Sequence, residues 1–176
     1  MSTNTDPKTL NEQGKQAFQA GQLEEAIDSF RAAAEAYASA HDELNSAESK
    51  NNLSVALLQS GKAQESLEAV LGTDDVFAKA GDLKRQGMAL GNQAAALEAL
   101  KRFDEALAAY EDSASIFAEA GEGDLRAMVL KSAAGIKLKK GKVSESVFKM
   151  IGSLEAKQNP SIFDRILRSL VRFVQR

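Results

Sequence analysis

Residues 103–117 read Phe-Asp-Glu-Ala-Leu-Ala-Ala-Tyr-Glu-Asp-Ser-Ala-Ser-Ile-Phe, which sets Phe103, Leu107, Tyr110, Ala114 and Phe117 at steps of three or four. That spacing lines one face of an α-helix. The stretch recurs at multiples of 40 residues. Ala106 aligns with Ala26, Ser66 and Ser146; Phe103 with Leu23, Ala63 and Val143; Tyr110 with Phe30, Val70 and Met150. Glu105 joins Glu25, Glu65 and Glu145 in an unbroken acidic column. Small residues in one column and large apolar residues in another describe a single packing unit used four times, each copy completing its neighbour's core. In such an array function resides in a surface.

The chain of 176 residues is 44% apolar, enough for a continuous core. It has no Cys, which excludes disulfides and thiolate metal sites and fits a reducing compartment. Met1 to Asp6 carries neither a basic nor an apolar leader pattern and reads as a disordered start. No stretch reaches the ~20 apolar residues of a spanning helix, so the expectation is a soluble, cytoplasmic chain. The net charge of −3 hides an asymmetry: residues 1–130 hold 11 basic and 22 acidic side chains, residues 131–176 hold 11 and 3. The two ends carry opposite fields.

Pro occurs only at positions 7 and 160, Ala is abundant, and no run alternates with period two. The chain reads as all-α. Gly21, Gly61 and Gly141 mark turns inside the copies, because a helix commonly ends in a left-handed residue that Gly adopts cheaply. Lys101 stands in the same column. First helices are expected near 7–20, 43–60, 83–100 and 124–140, and second helices near 23–40, 63–80, 103–120 and 143–157. Gly72 and Thr73 interrupt the second helix of copy two, where a kink or fraying is expected.

Gly14, Gly21, Leu23, Ala26, Phe30 and Ala33, together with Leu90, Ala94, Leu97, Phe103, Ala106, Tyr110 and Ala114, resemble the tetratricopeptide repeat (TPR) over residues 7–157. The copies are 7–42, 43–82, 83–122 and 123–157. Small residues in the columns of Gly14 and Ala26 let the two helices of a copy approach closely; Lys50 and Ser66 depart from the pattern. The period exceeds the usual 34 by six residues, which fall in Tyr37–Leu44, Phe77–Lys84 and Phe117–Asp124. With Asn51-Asn52-Leu53 followed by Gly61, this is similar to kinesin light chain type repeats, which have lengthened second helices and long links. The resemblance implies a right-handed superhelical α-solenoid of four TPR-like hairpins, with a groove lined by the first helices.

Chemistry-bearing residues are scarce. His41 is the only histidine and lies in a link, so no nucleophile–base pair, metal cluster or phosphate loop is visible. The expectation is no enzyme, no cofactor and no metal. Asn52, Asn92 and Ser132 share one column on the side that a TPR stack turns inward. An amide that both donates and accepts suits the backbone of an extended peptide, or else bonds between helices. Asn11, Lys15, Val55, Gln59, Met88 and Ala95 are expected beside them. Chaperone-binding TPR domains hold a carboxylate with Lys and Asn; of the matching positions Asn11, Lys15, Asn52, Met88 and Asn92, only Asn52 agrees, which speaks against a chaperone tail.

A last amphipathic segment follows Asn159 and Pro160, with Ile162, Phe163, Ile166, Leu167, Leu170, Val171, Phe173 and Val174 on one half-cylinder at 100° per residue. Arg165, Arg168, Arg172 and Arg176 lie on the other half. Residues 158–176 read as a cap on the stack, or as a docking element for an anionic membrane or a partner, with Phe163, Arg165, Arg168, Leu170, Arg172 and Phe173 in contact. The alternative function is thus a peripheral membrane or complex-assembly factor. The acidic front and basic rear also allow a homo-oligomer. Nucleic acid is disfavoured by the acidic balance and the lack of Trp.

Overall fold

The computed structural model describes residues 6–139, and these form eight α-helices with no strand among them. They are α1 (Pro7–Gln19), α2 (Leu23–Ser39), α3 (Glu43–Gln59), α4 (Ala63–Val70), α5 (Thr73–Lys79), α6 (Leu83–Ala99), α7 (Phe103–Glu119) and α8 (Gly123–Lys137). The expected helix at 143–157, Gly141, and the segment 158–176 with its docking residues lie outside the described residues. A boundary between two compact units falls between Ala133 and Ala134. The hairpins described below belong to the first unit. Among the described residues no helix is long and apolar enough to cross a membrane.

The backbone repeats at half the period of the side chains. Gly21, His41, Gly61, Gly81, Lys101 and Gly121 all take left-handed φ, between 59° and 82°. At each the chain turns in three residues. The N–H of the third residue past the helix reaches back to close the turn: Gln22 to the Ala17 carbonyl, Asp42 to Tyr37, Lys62 to Leu57, Asp82 to Phe77, Arg102 to Leu97 and Glu122 to Phe117, each at 2.9 Å. The links between copies are therefore as short as the turns within them, and the six extra residues lengthen helices rather than loops. Lys101 behaves as its column requires, and His41 does so without any glycine signal in the sequence.

Entry into the helices alternates. Asp6, Asp42 and Asp82 accept from the N–H groups of Thr9, Asn45 and Arg85 and cap α1, α3 and α6. Asp82 is held below the usual carboxylate range, chiefly by the Arg85 N–H and then by its guanidinium. Gln22, Lys62 and Arg102 precede α2, α4 and α7 without a side-chain cap. Those helices instead open with acidic first turns, Glu24 and Glu25, Glu65, and Asp104 and Glu105, which complement the helix dipole.

The small columns do what close packing asks of them. A methyl group at Gly14 would come within 2.6 Å of the Phe30 ring, and, outside those two columns, one at Gly87 would come within 2.7 Å of Phe117. In copy two the columns of Gly14 and Ala26 hold serines, and their contact is polar. Ser54 and Ser66, both buried, face each other at 3.0 Å, and Ser66 donates to the Ser54 carbonyl at 2.8 Å. The departure at Ser66 is thus a satisfied pair, not an unmet hydroxyl. The break at Gly72 and Thr73 is present: Gly72 has φ of 78°, and α5 restarts with Thr73 Oγ1 donating to the Val70 carbonyl at 2.8 Å.

Non-glycine residues in the left-handed region lose on the order of 1 kcal/mol. Lys101→Gly is expected to raise the melting temperature by about 2–4 °C. The result that would refute the strain argument is an unchanged or lowered value by calorimetry.

Candidate functional site

Successive first helices α1, α3 and α6 lie side by side, and their asparagines meet across the seams. Asn92 Nδ2 donates to Asn51 Oδ1 at 2.8 Å, and Asn52 Nδ2 makes a long contact of 3.5 Å to Asn11 Oδ1. Asn11 and Asn51 are buried, whereas Asn52 and Asn92 are half-buried. The buried amide of one copy thus faces the half-buried amide of the next. The pairing does not extend further, because the column of Asn11 and Asn51 continues as Gly91. Ser132 instead lies in hydrogen-bonding reach of Tyr110, whose hydroxyl donates to Glu98 at 3.2 Å; burial pushes this phenol up to about 12.

Each of these amides keeps unspent capacity. Donation from Nδ2 to a neighbour leaves the second N–H and the carbonyl of Asn52 and Asn92 for another partner.

Lys15, Asn52 and Val55 come together with Phe18, Gln19 and Phe30 around a depression of about 150 Å³. That space admits one apolar side chain with polar groups at its edge. Gln59 is exposed and Met88 is 40% exposed; neither lines this depression. Lys15 is held by Glu12 at 2.9 Å and lies 3.8 Å from Glu48, and the Glu12 hydrogen bond raises its pKa.

Glu48 and Arg85 were not legible as site residues. Glu48 also takes Arg85 Nη1 at 3.0 Å, Arg85 Nε reaches Asp82 at 2.7 Å, and the guanidinium lies 5.1 Å from the centre of the Phe77 ring. An ionic chain from Lys15 through Glu48 to Arg85 therefore crosses three copies. Its members are 33 and 37 residues apart, so no search at period 40 exposes them. Because Lys15 already has two carboxylates beside it, a ligand carboxylate would have to displace them.

Comparisons with known proteins agree with this geometry. Two crystal structures of a putative kinesin light chain with nearly identical TPR-like repeats from Podosopora anserina are similar. One, of a single-residue variant, has a TM-score of 0.68 at 20% identity over 88% of this chain and 76% of that chain. The other has a TM-score of 0.67 at 21% identity over 92% and 80%. Aspartyl phosphate phosphatase F from Bacillus subtilis matches with a TM-score of 0.60 at 13% identity, over 99% of this chain and 51% of that one. The fold is an all-α, TPR-like solenoid. No curated protein matches. A family model for the TRAPPC10/Trs130 NTS-like domain covers residues 2–144, and the chain belongs to that family.

Proposed function

We propose that this chain is a non-catalytic scaffold that binds an extended peptide or protein segment along the face of α1, α3 and α6. The observation that carries the reading is the pair of half-exposed amides, Asn52 and Asn92. Asn92 is held by buried Asn51 at 2.8 Å, Asn52 touches buried Asn11 at 3.5 Å, and each retains donor and acceptor capacity. A side chain locked by a buried partner presents its remaining groups at little entropic cost. In this reading a guest backbone bonds to Asn52, Asn92 and Ser132. One of its apolar side chains enters the depression between Phe18 and Val55, and Lys15, Gln59 and Met88 contact its flanks.

The neighbours of similar fold and the family model are compatible with an interaction module and name no ligand. The test is capture from native lysate by the full chain, compared with an Asn52→Ala/Asn92→Ala variant. Recovery of the captured proteins is expected to fall roughly tenfold, while the circular dichroism melt stays within a few degrees of the wild type. Equal capture by both proteins removes this face as the binding site.

A further inference from the structure

The second helices α2, α4, α5 and α7 carry 13 acidic and 2 basic side chains, whereas α1, α3 and α6 carry 4 and 5. Twelve of those 13 carboxylates are exposed and the other is half-buried. The negative charge of the described chain is thus concentrated on one set of helices, away from the asparagine face.

Two grooves open between these second helices, and the 40-residue register makes them directly comparable. The first lies between α2 and α4 over α3, has a volume of about 320 Å³ and is lined in part by Arg31, Lys50 and Glu68. The second lies between α4 and α7 over α6, with about 380 Å³. Its residues in the same three columns are Leu71, which also borders the first groove, Leu90 and Ala108. Three charged side chains have been replaced by three apolar ones at equivalent places in the fold; in the opposite sense Leu53 gives way only to Gln93. Leu67 and Leu97 complete an aliphatic floor, and Asp112 stands on the rim beside Glu105, which Arg102 holds at 2.6 and 2.8 Å.

The helix break explains how the groove is presented. Leu71 ends α4 in extended backbone and Gly72 turns left-handed, so Leu71 is displayed rather than tucked under a continuing helix, and it is 54% exposed. Apart from Leu71 and Arg102 the walls are helix, which favours side-chain insertion as the mode of recognition over strand addition. An aliphatic floor asks for aliphatic knobs, and an acidic surround asks for Lys or Arg beside them.

We propose that the groove between α4 and α7 is a docking site for a basic amphipathic helix of a partner protein. Its aliphatic stripe packs on Leu71, Leu90 and Leu97, and its cations reach Asp112 and compete with Arg102 for Glu105. This surface is separate from the asparagine face, so a scaffold of this kind holds two segments at once.

The test is fluorescence anisotropy with the full chain and a fluorescein-labelled designed helix of about 18 residues, bearing Leu at i, i+3, i+4 and i+7 and Lys elsewhere. Its counterpart carries Glu in place of Lys. The Lys peptide is expected to bind, more weakly as salt rises, and the Glu peptide to bind at least about tenfold more weakly. Leu71→Arg/Leu90→Lys copies what the first groove carries, so the fold has a precedent for it; a loss of about tenfold or more is expected. Leu71→Gln/Leu90→Gln is expected to lose binding similarly without any change in charge. Conversely, Arg31→Leu/Lys50→Leu is expected to create a second site and double the stoichiometry, a gain that unfolding does not mimic. Unchanged binding in the Leu variants, no second site in the converse variant, or equal binding of the Glu peptide overturns the proposal. So does self-association of the full chain that Leu71→Gln/Leu90→Gln abolishes, because the occupant is then a second copy. Asn52→Ala/Asn92→Ala is expected to leave this binding unchanged.

Discussion

Phe117→Ala is expected to lower the free energy of unfolding by about 3–5 kcal/mol and Gly87→Ala by about 1–3 kcal/mol, yet the double variant is expected to be more stable than Phe117→Ala alone. Phe117 is 1% exposed, and its ring atoms Cε1 and Cδ1 lie 2.7 and 2.8 Å from the place a Cβ at Gly87 would occupy. The ring cannot yield easily, because Ser113 one turn earlier donates to the Gly87 carbonyl at 2.7 Å and fixes α7 against α6. With the ring in place an added methyl overpacks the seam. With the ring gone, the same methyl meets no clash, fills part of the cavity and improves the helix by about 1 kcal/mol, the propensity difference between Ala and Gly. The sign of the Gly87→Ala effect should thus invert with background. Urea unfolding of the four proteins measures this as a double-mutant cycle. Additivity within about 0.5 kcal/mol would show that the two residues do not constrain each other. Gly14 and Phe30 supply an independent repetition, with ring atoms 2.6 and 2.7 Å from the hypothetical Cβ.

The helices and their order could be read from the sequence because they rest on local terms. Apolar spacing placed Phe30, Tyr110 and Phe117 in the core, and all three are buried. A backbone rule placed the turn at Lys101, and its φ is 62°. The break at Gly72 followed from propensity. What local terms leave out depends on distance through space. His41 has no glycine signal, yet it takes φ of 59° because two seventeen-residue helices must be joined in three residues. Gly87 reads as an ordinary helix glycine; only the ring of Phe117, 30 positions on, gives it a reason. The candidate site was legible to the level of a column, since period 40 groups Asn52, Asn92 and Ser132. Period alone does not say that each amide turns toward the buried Asn of the copy before it, or that the pairing stops where Gly91 offers no side chain. The Lys15, Glu48 and Arg85 chain and the charge-to-apolar exchange at Leu71 and Leu90 became visible only with the grooves defined.

Phe77→Ala is expected to cost about 3–5 kcal/mol and to act first on one short element. At seven residues, α5 is far below the length at which an isolated helix persists in water. It stays folded through what it buries. Phe77 is fully buried in a cluster with Ala47, Val70 and Ala89, and Leu44 and Val76 pack on its margin. The Arg85 guanidinium lies over the same ring while bonding to Glu48 and Asp82. Removing the ring therefore takes away the anchor of α5 and the platform of the residue that bridges copies two and three. Hydrogen exchange is the discriminating measurement: amides of α5 should lose protection well before those of α2 and α7, by local opening rather than global unfolding. Phe77→Leu conserves most of the volume, so it should cost less than about 1.5 kcal/mol and keep α5 protected. If α5 amides in Phe77→Ala exchange no faster than those of α7, the ring is not what holds the broken helix. Because Leu71 is displayed by the backbone on which α5 restarts, the same variant should also weaken binding of the Lys-bearing helix, although Phe77 does not line that groove.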